Sequence, residues 1–438
     1  MKNVKIVVIG GGSSYTPELV DGLIRRWEAG DFFAGEIVLV DLPEGREKAE
    51  VVAEFSRRMM KRKGMPSSVR VSLDRSEALD GASFVISQIR VGGMKARRCD
   101  EHLPIKYGVI GQETTGPGGF ANALRTIPAA LEIARDVEEK CPDAWLLNFS
   151  NPSGLVTEAL IKHAAVKTFG LCNVPISIKM ALAQALRIEP EKVRLDVMGL
   201  NHLSFVMHIY RDGEDIRDLL FSKAFVALLT KAANLRPEMD RFLTRLKIIP
   251  SPYLQYYWLR RRTVSEEERA AKGEGTRADQ VMKIEQELFE QYAKPEVDEL
   301  PGALKKRGGA WYSAVALQCI SAILKNSPYL EALNVRNDGA IGELPAGSVV
   351  EVTTVVDGKG PTPLQLGPLP VEIRGLVQQV KAYEELTVEA AVHGDIEAAF
   401  FALLNHPLVG DAEVALDLLK DILDSNREFL PQFNGKKL

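Results

Sequence analysis

The apolar run Val4-Lys5-Ile6-Val7-Val8-Ile9 passes straight into Gly10-Gly11-Gly12-Ser13-Ser14-Tyr15-Thr16-Pro17-Glu18-Leu19. A β-rich segment, a tight glycine turn and a helix start, in that order, restrict this end of the chain to a strand–turn–helix unit of a parallel sheet. Thr16 is placed to cap the helix, with Pro17 at its first position, where the missing N–H costs nothing. Gly10, Gly11, Gly12 and Ser13 then let main-chain N–H groups approach a pyrophosphate at the positive end of the helix dipole. A second apolar run, Ile37 to Val40, ends in Asp41, 31 residues beyond Gly10 and near the usual place of an acid that binds an adenosine ribose hydroxyl. An acid there favours NAD over NADP. Tyr15 stands where the third glycine of such a fingerprint belongs, and glycine-rich turns also arise for purely structural reasons.

Further apolar runs at Ser83 to Ser87, Trp145 to Phe149 and Thr168 to Leu171 alternate with helical stretches, the pattern of a parallel sheet covered on both faces. Beyond residue 172 the alternation breaks up. A strand-like run, Leu203 to Tyr210, precedes long helical segments around 215 to 292, and the Gly/Pro-rich stretch Gly358 to Pro370 separates a strand pair near 348 to 356 from helices that run to the end. The predicted fold class is α/β: a Rossmann-like parallel-sheet domain of the lactate/malate dehydrogenase type over 1–172, followed by a mixed α+β, helix-rich catalytic domain over 173–438.

Hydrophobic residues make up 46% of the 438 and charged residues 26%, enough to build a sizeable core and to exclude wholesale disorder. Fifty-five Lys and Arg against 59 Asp and Glu leave a net charge of −4, so no positive excess is available for nucleic acid or an anionic membrane. Cys99, Cys141, Cys172 and Cys319 show neither paired metal spacing nor disulfide density, which suits a reducing compartment. The four apolar residues Ile6 to Ile9 are too few for a signal-peptide core or a membrane span, and a cytoplasmic enzyme is expected. Asn148-Phe149-Ser150 fits a glycosylation sequon that is inert without secretion.

Two polar loops, Gly111 to Phe120 and Asn148 to Gly154, follow apolar runs, where the ligand crevice of a parallel sheet lies; each also reads as a plain surface turn. Cys172 ends another apolar run, and His202 sits in the polar turn Gly199-Leu200-Asn201-His202-Leu203, 30 residues further on. A thiolate and an imidazole suit a divalent metal with positions left open for substrate. A cysteine at a strand end equally suits a small core residue, and a lone histidine a structural hydrogen bond. Tyr253 lies in Pro250 to Trp258, aromatic at helical spacing and hence core-like. Arg277 heads a stripe with Val281, Ile284 and Leu288, which points it inward from a first helical turn where an anion can pair with it, unless it is a surface or capping arginine. Arg97 and Arg98, beside Lys95, also read as a solvated face.

Together these stretches resemble glycoside hydrolase family 4, the NAD- and metal-dependent glycosidases, and within it the enzymes acting on 6-phospho-β-glucosides. Its anchors are Ile9 to Leu19, Lys106-Tyr107-Gly108-Val109-Ile110-Gly111-Gln112-Glu113-Thr114, Asn151-Pro152-Ser153-Gly154, Cys172-Asn173-Val174-Pro175 and Gly199 to Phe205. The resemblance implies that Cys172 and His202 ligate Mn²⁺ or another divalent metal, although a thiolate is soft for manganese. By the same resemblance Tyr253 is the general base, Glu113 the acid that makes it more basic, and Arg97, Asn151, Asn173 and Arg277 bind substrate, with the two arginines on the 6-phosphate. Asn173 departs from the acid found after the cysteine in some α-specific relatives, which supports β-linked substrates.

The chemistry so implied is not the two-carboxylate route of most glycosidases. NAD⁺ takes hydride from C3 of the sugar, the ketone acidifies the C2 hydrogen, the base removes it, the aglycone is eliminated, water adds and NADH returns the hydride. The expected partner is a phosphorylated disaccharide or aryl glucoside, and the expected assembly a homodimer or homotetramer. Three other readings stay open at this level: a 6-phospho-α-glucosidase, an NAD-dependent 2-hydroxy acid dehydrogenase with His202 as acid/base, and a non-catalytic NAD sensor.

Overall fold

The computed structural model describes residues 2–222, 225–308 and 311–436. Six parallel strands, β1 (Lys2–Ile9), β2 (Phe32–Val40), β3 (Ser68–Ser72), β4 (Phe84–Ser87), β5 (Trp145–Asn148) and β6 (Lys167–Gly170), lie in the order 3-2-1-4-5-6. That is the doubly wound dinucleotide-binding arrangement, whose strand order reverses between β1 and β4. Ile6, Val7 and Val8 of β1 and Ile37, Val38 and Leu39 of β2 are fully buried, as strands with both faces covered require.

The chain then leaves this sheet. β7 (Val193–Leu200) and β8 (Leu203–Arg211) form a hairpin, extended on one side of β8 by β9 (Glu214–Asp215) and β10 (Ile249–Pro250), and backed by a separate apolar cluster around Leu182, Val197, Val206, Leu220 and Leu229. β11 (Tyr329–Arg336), β12 (Val349–Asp357) and β13 (Gly360–Pro363) return to the first sheet and extend it antiparallel beyond β6, giving nine strands. The helix Val371–His393 packs on the helices Gly116–Lys140 and Ser153–His163, so Val377, Val380 and Tyr383 share the main core with Ile127 and Leu155.

Several expectations need correction. β3 escapes prediction because in Ser-Val-Arg-Val-Ser only Val69 and Ser72 are buried. The stretch 215–292 is a chain of short helices interrupted by β10, and its longest helices, Arg260–Lys272 and Arg277–Tyr292, follow that strand. The Gly/Pro-rich stretch contributes β13, whose Gly360 (φ +103°) lets the backbone pass against Trp145; a Cβ there would stand 2.2 Å from the indole. The Gly111 to Phe120 segment is loop only to Thr115, and its glycines 116, 118 and 119 already belong to a helix. Thr16 does not cap: Tyr15 precedes the helix Thr16–Glu28, and the Thr16 hydroxyl donates to the Gly11 carbonyl at 2.9 Å.

Candidate active site

The glycine turn is built by close approach. Gly10 and Gly11 both donate to the Val40 carbonyl at 2.9 Å, which draws the end of β1 onto β2. A Cβ on Gly10 (φ +82°) would stand 2.8 Å from the Gln88 carbonyl oxygen, and one on Gly12 2.7 Å from Asp41 Oδ2. Only a chain without side chains fits between the ends of β2 and β4, the crevice where strand order reverses. Asp41 accepts from the Gly12 amide at 2.7 Å and the Leu42 amide at 2.9 Å, so its carboxylate is fixed at the end of β2. Ser13, half-buried in the turn, accepts from the Tyr15 amide at 3.2 Å. This narrow cradle and its carboxylate fit the ribose and pyrophosphate of a dinucleotide.

Two of the candidate residues converge with Tyr253 beneath the ends of β5 and β6. Cys172 follows β6 and precedes the helix Asn173–Leu186, with its Sγ accepting a long 3.5 Å contact from the Val174 amide. Burial first, and then the nearby Glu351 carboxylate, push the thiol well up from its ordinary value. His202 occupies the turn between β7 and β8 at φ +64°, a left-handed backbone uncommon for a residue with a side chain. Such a conformation costs on the order of 1–3 kcal/mol and marks sites where the surroundings impose it. Burial lowers the imidazole to about 4, so the ring is neutral at pH 7, the form that ligates metals. Its Nδ1 is buried with no hydrogen-bond partner.

Tyr253 is delivered by strand pairing. Pro250 of β10 pairs with Phe205 of β8, the Ser251 amide donates to the Ser204 carbonyl at 2.8 Å, and the chain then turns so that Tyr253 stacks on His202. The rings are 4.0 Å apart and 6° from parallel. Burial, followed by the Cys172 and Glu113 charges, raises the phenol above its usual range, against a lowering pull from Arg97.

A neutral imidazole with its Nδ1 unpartnered, and a buried thiol against the adjoining Asn201, fit a metal with two protein ligands and open positions. Among the described residues no three His, Cys, Asp or Glu side chains form a complete cage.

Charge is concentrated beside this pair. Glu113 accepts from Arg90 and, at 3.1 Å, from Arg97, which also reaches Glu101 at 2.9 Å. Burial favours the neutral acid at Glu113, but the two guanidinium groups hold it below the ordinary carboxylate value. Glu101 in turn accepts from the Ala278 amide at 2.7 Å, next to Arg277. Arg277 differs from expectation. The stripe does bury Val281 and Leu288, but Arg277 itself is exposed, and its Nη2 donates to the carbonyls of Lys306 and Arg307 at 2.8 and 2.9 Å. Burial of its inner part and the Arg97 charge both lower its pKa, so the two guanidiniums repel across a gap that an anion would relieve. Asn151, at the cis Asn151–Pro152 bond, lies beside the Tyr312 hydroxyl, and Asn173 is half-buried at the first turn of its helix.

Arg90, Tyr312 and Glu351 were not singled out in the sequence. Arg90 follows β4 by three residues, and Glu351 is a lone charge between Val350 and Val352; both signals were legible. Tyr312, stacked on Phe149 at 5.1 Å, has no local mark.

Residues 5–188 match the family 4 glycosyl hydrolases, and residues 197–409 match the C-terminal domain of the same family. This chain belongs to glycosyl hydrolase family 4. Family members named as 6-phospho-beta-glucosidases include one from Bacillus subtilis, labelled probable, at 45% identity over 99% of both chains. Another, from Escherichia coli, is 36% identical over 99% of this chain and 97% of its own. The Thermotoga maritima 6-phospho-beta-glucosidase, solved with manganese, NAD⁺ and glucose-6-phosphate, superposes with a TM-score of 0.87 at 37% identity, covering 97% of this chain and 99% of that one. A family 4 relative named maltose-6'-phosphate glucosidase, from Bacillus subtilis, is 29% identical over 99% of this chain and 98% of its own. Malate dehydrogenase from Plasmodium falciparum, at 14% identity and a TM-score of 0.54, shares the fold alone. Family 4 membership makes the chain a glycosyl hydrolase and sets aside the dehydrogenase and sensor readings. No helix of the described residues is long and apolar enough to cross a membrane.

Proposed function

We propose that this chain hydrolyses 6-phosphorylated β-glucosides, either disaccharides or aryl glucosides, with NAD and a divalent cation, Mn²⁺ foremost, as cofactors. When bound, NAD would supply a hydride acceptor that leaves a carbonyl at C3 and so an acidic C2 hydrogen, and the cation would supply positive charge to steady the developing oxyanion. Gly10, Gly11, Gly12, Ser13 and Asp41 are the residues that would hold the dinucleotide, and Cys172 and His202 the cation.

Tyr253 Oη is the base that takes the C2 proton. Tyr253 is half-buried, the Glu113 charge makes the phenolate more basic, and Arg97 favours the ionised form. Arg97 and Arg277 receive the 6-phosphate, and Asn151 and Asn173 orient the sugar. Residues 1–172 form the nucleotide-binding part and also supply Arg97, Asn151 and Cys172, while residues 173–438 complete the substrate and metal site with Asn173, His202, Tyr253 and Arg277. The enzyme is cytoplasmic and forms a homodimer or homotetramer.

The observation that carries this reading is the neutral His202 ring, its Nδ1 unpartnered, stacked under the Tyr253 phenol. The test is turnover of α- and β-linked 6-phosphoglucosides, each with and without NAD⁺, Mn²⁺ and a thiol reductant. β-Linked turnover that needs all three is expected; turnover indifferent to NAD⁺ and Mn²⁺ contradicts the proposal.

A further inference from the structure

We infer that Glu351 is a positioning residue for His202, fixing the β7–β8 turn from both sides and so setting the direction of the unpartnered Nδ1. The inference rests on the proposal that Cys172 and His202 hold the metal.

Glu351 lies in β12 with no exposed surface. Its Oε2 accepts from the Ser204 hydroxyl at 2.6 Å and its Oε1 from the Asn201 side-chain amide at 3.0 Å, so residues on either side of His202 end on one carboxylate. A longer contact of 3.5 Å comes from Asn334, its partner in the β11–β12 register. No Lys or Arg is among these partners. A carboxylate buried without a counter-charge is unfavourable, and neutral donors offset that cost only in part. What the carboxylate provides instead is a fixed set of acceptors.

The mount has a second point. Thr353, two residues along β12 and therefore on the same face, accepts from the Val197 amide at 2.7 Å and donates to the Leu195 carbonyl at 3.1 Å, where the β7 register shifts. The hairpin is thus held at its irregularity by Thr353 and at its tip by Glu351. The tip is where fixing matters. His202 occupies a left-handed backbone conformation, and any relaxation there swings the imidazole. Asn201 also accepts from the Gly154 amide at 3.4 Å, which ties the same turn to the loop carrying Asn151. Cys172 neighbours Glu351 directly, so one buried side chain borders one candidate ligand and holds the turn that carries the other.

The test is a Mn²⁺ titration of the NAD⁺-saturated protein, following free Mn²⁺ by electron paramagnetic resonance, for wild type, Glu351→Gln, Ser204→Ala and Cys172→Ser. Glu351→Gln keeps the shape but turns one accepting oxygen into a donor. Its Mn²⁺ Kd should rise about 10- to 100-fold, the usual effect of losing a residue that orients a ligand. Ser204→Ala should shift in the same direction by less, with NAD⁺ affinity and melting temperature near wild type in both; it decides the question alone if Glu351→Gln does not fold. Folded variants that bind Mn²⁺ like wild type, while Cys172→Ser has lost it, overturn the positioning role. Wild-type affinity in Cys172→Ser overturns the metal assignment itself.

Discussion

The His202 imidazole and the Tyr253 phenol lie face to face, 4.0 Å between ring centres and 6° from parallel, on segments brought together by the pairing of β8 with β10. The stack fixes the plane of the metal-binding candidate and the direction of the phenolic oxygen together. A phenol whose ring is held by stacking keeps its place when the hydroxyl is removed. Tyr253→Phe should therefore retain NAD⁺ and Mn²⁺ binding while kcat falls about 10²- to 10⁴-fold, the range of a general base. Isothermal titration and steady-state kinetics check this; a variant within a few-fold of wild-type kcat contradicts the base assignment.

A cradle this narrow should not tolerate a methyl group. Gly12→Ala places a Cβ 2.7 Å from Asp41 Oδ2 and must displace the carboxylate or the turn. The NAD⁺ Kd, read by fluorescence quenching, should rise at least about tenfold, equivalent to ~1.4 kcal/mol. Mn²⁺ binding by the apoprotein should be unaffected.

Arg277 is exposed and, among the described residues, bonded only to main-chain carbonyls, so its loss should be mild for the fold and severe for an anion. Arg277→Ala should change stability by no more than about 1 kcal/mol. A charged hydrogen bond contributes roughly 1.5–3 kcal/mol, so KM for a 6-phosphoglucoside should rise about 10- to 100-fold. An unchanged KM would remove Arg277 from the phosphate site.

His406 offers a titration away from the candidate ligands. Burial lowers it to about 3, with Nε2 unpartnered and Nδ1 accepting from the Leu408 amide at 3.1 Å. The unfolded chain, with histidine near 6.5, binds the proton that the folded chain refuses. The contribution is therefore fully present above about pH 6.5 and is lost as pH falls toward 3. Half-buried Glu267 and buried Glu384, both raised to about 7, act in the opposite sense, so the difference between two proteins is the informative quantity. His406→Asn, which keeps an acceptor for Leu408, should gain on wild type by up to about 1.4 kcal/mol per pH unit across that window in urea melts. Parallel pH profiles would contradict a neutral buried His406.

How much of this could be seen in the sequence depends on the distance over which each feature is made. The glycine turn and Asp41 are local to one strand–turn–helix unit, and the parallel order of β1, β2, β4, β5 and β6 follows from continuous apolar runs. β7 and β11 escape prediction because each mixes polar residues into its pattern: Arg194 and Asp196 in one, Glu331 and Asn334 in the other. Asp196 and Asn334 are buried, so polarity there does not signal an outward face. The approach of Tyr253 to His202 is set by Pro250 pairing with Phe205, a contact between distant segments that no spacing announces. Glu113 is named by the resemblance, whereas Arg90, legible only as a charge just after β4, meets it because the connection folds back through the helix Gly93–Ile105.

The chemistry proposed for Tyr253 leaves a mark in the product. Hydrolysis of a β-linked 6-phosphoglucoside in D₂O, with NAD⁺ and Mn²⁺ present, should yield glucose 6-phosphate carrying deuterium at C2, read by NMR and mass spectrometry. Product formed at the full rate with only protium at C2 would show that the bond breaks without loss of that hydrogen, and would contradict the account.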